Sequence, residues 1–112
     1  MSDDAYDNRP LSEIYRVTAK RWVEAESIAS LLEETKSSVL QQNAQKLVAE
    51  FDISGAEAER RAKADPAWID WIKAMCAARE KALLLKCQIE YIKMRFQEQA
   101  SAEANARAEM RL

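Results

Sequence analysis

The side chains best suited to chemistry in this sequence are cations. Arg79, Lys86 and Lys93 stand seven apart, a spacing that drifts only about 20° per heptad on a straight helix and so draws a basic line along it. Lys81 lies on the same segment, and Arg60, Arg61 and Lys63 extend the positive charge upstream. Phosphate oxygens are the natural partners of such a line, and Trp68, Trp71 and Tyr91 offer aromatic faces on which unpaired bases stack. Single-stranded nucleic acid fits this set better than duplex, since no zinc-finger spacing or compact helix-turn-helix pattern is present. A second reading stands beside it: lysine and arginine stems often cover an apolar seam, and aromatic residues at helical spacing pack as core.

The carboxylates Glu33-Glu34, Glu57 with Glu59, and Glu80 with Glu90 are the candidates for acid–base work. Neighbours one or two apart on a helix do not face each other, and all of these read as solvated helix surface. The chain has no histidine. That removes the side chain that most often titrates near neutrality, the commonest metal ligand and the partner of serine or cysteine nucleophiles. A single glycine cannot build a phosphate-cradling loop. Cys76 and Cys87 are eleven residues apart, about 16 Å along a helix, too far for a disulfide within it; they are expected as buried thiols, with a bridge between chains as the alternative. The sequence points to a non-enzymatic protein with no cofactor and no metal.

Helices must position these residues. One glycine and two prolines in 112 residues leave almost no turn material, and helix formers dominate. The charge is segregated: residues 1–59 carry 6 Lys+Arg against 12 Asp+Glu, residues 60–95 carry 9 against 4, and residues 96–112 carry 2 against 3. Only the middle third favours a polyanion. No run reaches the length of a membrane span and the N-terminus is acidic, so a cytoplasmic protein with no membrane partner is expected.

Residues 1–10 read as a mobile acidic tail. A first helix opens at Leu11 or Ser12, with Ser12 as its cap, and runs to about Phe51. Its apolar stripe is Ile14, Val17, Arg21, Ala25, Ile28, Leu32, Thr35, Val39 and Leu47. Glu13, Arg16, Lys20 and Glu24 are placed to pair on its solvent face. Ser54 and Glu57 have the spacing of a capping box for a short alanine-rich connector helix. Asp65-Pro66 is the strongest local signal: aspartate caps, and proline at the first helical position loses no hydrogen bond. Beyond it, Trp68, Ile72, Met75, Ala82, Leu85, Ile89, Ile92 and Phe96 form one stripe, and Ile69, Cys76, Leu83, Cys87 and Met94 form a second. Residues 11–96 thus make a helical hairpin domain, and 97–112 an alanine-rich helical or frayed extension. A helix so apolar needs cover on more than one side, which predicts a homo-oligomeric, all-α helical bundle. Its expected interface is Trp68, Ile72, Met75, Leu85, Ile89, Ile92 and Phe96.

The run Trp71-Ile72 through Ala78-Arg79-Glu80-Lys81-Ala82-Leu83-Leu84-Leu85-Lys86-Cys87-Gln88-Ile89-Glu90-Tyr91 resembles the central helix of small phage proteins encoded near recombination genes, of the type of the UvsY recombination mediators. The resemblance covers about a fifth of the chain. It implies a helical, oligomeric, non-enzymatic protein that binds single-stranded DNA and helps load a recombinase onto strands coated by single-strand-binding protein. On that footing Arg79, Lys81, Lys86 and Lys93 are the strand-binding residues. The competing expectation is a protein–protein interaction module, an adaptor or inhibitor, with no nucleic-acid binding.

Overall fold

A computed structural model describes residues 9–111; of the acidic segment 1–10, all but Arg9 and Pro10 lies outside the described residues. The described chain is helical, with α1 (Leu11–Phe51), α2 (Gly55–Ala64) and α3 (Pro66–Met110), a long helix pair and a short helix without strands. No helix among the described residues is long and apolar enough to cross a membrane.

Local signals set the boundaries. The Pro10 carbonyl accepts from the N–H groups of Glu13 and Ile14 at 3.0 and 3.1 Å, so Pro10 is the residue that precedes the first turn and Ser12 lies inside it. The expected Ser12 cap is therefore displaced by two residues, because proline has no N–H to lose at a helix start. The α1 C-terminus closes through the Asp52 N–H on the Val48 carbonyl at 3.0 Å, with Asp52 in the left-handed region at φ 51. At α2, the Ser54 hydroxyl oxygen accepts from the Glu57 N–H at 3.2 Å. The Glu57 carboxylate does not complete the capping box: it takes Arg61 Nε at 2.9 Å and pairs with Arg60. Asp65 serves two helices. Its N–H donates to Ala62 at the end of α2, its carbonyl accepts from Trp68 and Ile69, and its carboxylate accepts from the Ala67 N–H at 2.9 Å. With Pro66 next, α2 must stop and α3 must start at that point.

The only glycine is not the residue with left-handed backbone. Gly55 opens α2, and a Cβ built on it meets nothing within 4 Å. Gly55→Ala is expected to raise the unfolding free energy by about 0.4–1 kcal/mol, because alanine restricts the unfolded chain at no steric cost in the fold. Thermal melts of the variant test this; a lowered midpoint contradicts the described backbone.

The chain divides into two compact units, one joining α1 up to Val23 with Leu83 onward, the other spanning Glu24–Ala82. In the first, the buried residues are Ile14 and Thr18 of α1 and Ile89 and Ile92 of α3. In the second they are Ala25 and Ala29 of α1, Ala58 and Ala62 of α2, and Trp68 and Ala82 of α3. Here α1 and α3 run antiparallel: Arg79 reaches Glu26 and Glu33, while Trp68 and Ala67 share a small cavity with Asn43 and Leu47. This core is made chiefly of alanine. Small side chains let helix backbones approach closely, so α2, expected as a connector that buries little, docks through Ala58 and Ala62.

Two expectations for α1 change. Ile28 lies outside, 55% exposed, and Ala29 takes the inner position beside Ala25, which is buried where the stripe placed it. Of the proposed solvent-face series, Glu13 and Arg16 pair at 2.6 Å, while no pair joins Lys20 to Glu24 among the described residues. From Lys93 to Arg111 every residue is exposed, yet α3 stays helical to Met110. The alanine-rich stretch expected as helical or frayed is helix.

Candidate interaction surface

The basic line is interrupted at its first member. Arg79 donates from Nε to Glu33 Oε2 at 2.8 Å, from Nη2 to Glu33 Oε1 at 2.7 Å and from Nη1 to Glu26 Oε2 at 2.6 Å. The fork geometry of guanidinium and carboxylate makes the Glu33 contact bidentate. Three of five donors are thus committed inside the chain, to residues 46 and 53 positions away. Hydrogen bonding to Glu33, then to Glu26, raises the Arg79 pKa further above its ordinary value.

The same hydrogen bonds hold the Glu33 carboxyl below its ordinary value of 4.5. A carboxyl lowered in the folded state contributes stability that is complete above its unfolded pKa and is lost as pH falls through the folded one. Arg79→Met should return the Glu33 titration, followed by carboxyl carbon NMR, upward to about 4.5. The variant should also lose less stability than the parent as pH drops below that value, by a small margin because the pair is solvent-screened. A Glu33 midpoint unmoved by the substitution contradicts the contact.

The other cations divide in the same way. Arg60 and Arg61 share Glu57, Lys63 sits 3.1 Å from Glu59, and Lys93 sits 3.4 Å from Glu90. Lys81 and Lys86 are exposed and make no ion pair among the described residues. The aromatic faces divide too. Trp68 is buried and stacks on half-buried Trp71 with ring centroids 5.3 Å apart and planes 7° from parallel. Tyr91 is exposed, with the Arg95 guanidinium 6.0 Å from its ring centre and an Arg95 N–H donated to its hydroxyl at 3.2 Å. Tyr91 alone of the three keeps an open face.

The residues expected at an oligomer interface mostly turn inward. Trp68, Ile89 and Ile92 are buried within the chain, Ile72, Met75 and Leu85 are half-buried, and Phe96 is exposed. The second stripe is the one left open. In the first unit Leu83, Leu84, Tyr91 and Met94 are 50–58% exposed, and in the second Ile69 is 45% exposed. Cys76 and Cys87 are exposed as well, not buried as expected, because they belong to this stripe and not to the inner one. Leu84 is the member that periodicity did not single out; its place next to Leu83 and seven before Tyr91 is the signal that marks it.

No three potential metal-binding side chains converge among the described residues. Comparison with protein families, with curated proteins and with solved structures finds no match for this chain.

Proposed function

We propose that the protein is a non-enzymatic helical accessory protein that acts by binding helices, its own copies first. One observation carries this reading: Leu83, Leu84, Tyr91 and Met94 form an open apolar row on a helix whose other side already packs through Ile89 and Ile92. A contiguous apolar patch on a charged surface marks an association site more often than idle exposure. The thin core argues the same way, since no large side chain is fully buried among the described residues, and a small chain gains stability by sharing surface. Sedimentation equilibrium tests it. The full chain is expected to associate, and Leu84→Glu with Met94→Glu to dissociate it while circular dichroism stays helical. A chain still monomeric near 1 mM, where an association of about −4 kcal/mol is half complete, sinks the reading.

A second reading places this assembly in phage-type DNA recombination or replication, in contact with single-stranded DNA and with a recombinase or single-strand-binding protein as further partners. The observation that favours it is that Lys86 and Lys81 are exposed on α3 without a carboxylate partner among the described residues, on two faces about 140° apart around the helix. Arg79 drops out as a strand contact, and Lys93 joins only by leaving Glu90, a cheap step for an exposed pair. Fluorescence anisotropy with labelled single-stranded oligonucleotides is expected to show binding that weakens with salt. Lys81→Glu with Lys86→Glu should abolish it. Absence of binding at low salt leaves a protein–protein module without nucleic acid.

A further inference from the structure

We propose that the α3 row Leu83, Leu84, Cys87, Tyr91 and Met94 receives the same row of a second copy running antiparallel, about a two-fold axis beside Gln88. The proposal rests on the self-association reading and gives it a geometry. At about 100° per residue, Leu83, Cys87 and Met94 fall near one line along α3. Leu84 and Tyr91 lie together on one flank of that line, and Lys86 and Glu90 together on the other. A two-fold axis perpendicular to a helix pair keeps each flank on its own side, so residues equidistant from the axis meet along the same flank.

Centred at Gln88, this operation sets Lys86 opposite Glu90 of the second copy, and Glu90 opposite its Lys86. Two opposite-charge contacts follow from one symmetry element. The apolar positions match to within one residue: Leu84, four before the axis, falls beside Tyr91 of the second copy, three after it; Leu83, five before, falls beside Met94, six after; and Cys87, one residue from the axis, comes beside its own counterpart. The Glu90–Lys93 pair joins exposed side chains at 3.4 Å and offers little resistance to re-pairing.

Single-cysteine variants of the full chain test the arrangement. In Cys76→Ser, the remaining Cys87 is expected to give mostly covalent dimer with diamide on a non-reducing gel. Helices packed about 8–10 Å apart bring its Cα atoms within the reach of a disulfide. In Cys87→Ser, the remaining Cys76 is expected to stay uncrosslinked, because its two copies lie about 36 Å apart along the axis. Crosslinking through both cysteines overturns the antiparallel arrangement in favour of a parallel one. Crosslinking through neither, in protein that sedimentation shows to be dimeric, overturns this register and leaves self-association standing; a monomer removes both. Lys86→Glu alone should weaken the dimer about threefold to tenfold at low salt, and adding Glu90→Lys should restore it. No recovery in the double variant overturns the charge pairing.

Discussion

Trp68→Ala is expected to cost about 3–5 kcal/mol of unfolding free energy, enough to leave the Glu24–Ala82 unit marginal or unfolded at room temperature. Trp68 is only 7% exposed in a unit whose other buried residues are alanines, so a large share of that unit's apolar burial sits on one side chain. Truncation removes the transfer energy and opens a cavity that neighbouring alanines are too short to fill. It also removes the stack on Trp71. Urea unfolding followed by circular dichroism measures the loss. Trp71→Ala, at a half-buried site, should cost clearly less. A loss below about 1 kcal/mol for Trp68→Ala is what an exposed site gives, and would refute the core as described.

Ala58→Glu is expected to undock α2, at a cost of several kcal/mol. Ala58 has no exposed surface. A carboxylate introduced there must shed its hydration shell without a partner, take up a proton, or push the helix away. Undocking is the easiest of the three, because α2 is only 10 residues long and marginal without tertiary contacts. Hydrogen exchange should show the amides of residues 55–64 losing protection while those of α1 and α3 keep most of theirs. Ala56→Glu, one helical position pair away and exposed, is the control and should stay within about 0.5 kcal/mol of the parent. Equal loss of protection in both variants would mean that α2 is not held by its alanine face.

What the sequence by itself determined is the helical plan. The ends of α1, Ser54 before α2 and the Asp65-Pro66 junction act within one turn of chain, through caps, missing donors and fixed φ, and need no distant partner. The apolar stripe of α3 through Trp68, Ile89 and Ile92 was legible as well, because these residues repeat at a helical period, though what it faces was not. Tertiary structure decided the rest. Periodicity ranks residues by greasiness, so it placed Ile28 inside α1 and passed over Ala29, whereas close helix approach selects small side chains and buried Ala29 beside Ala25. It drew Arg79 into a basic line, whereas Glu26 and Glu33, about fifty residues earlier, claim the guanidinium once α1 and α3 lie side by side. It found two apolar stripes on α3 and assigned the Trp68 set to an interface between copies, whereas packing turns Trp68, Ile89 and Ile92 inward and leaves Leu83 and Met94 exposed. Local rules act over four residues and are written in the chain; the choice of face depends on what arrives from elsewhere.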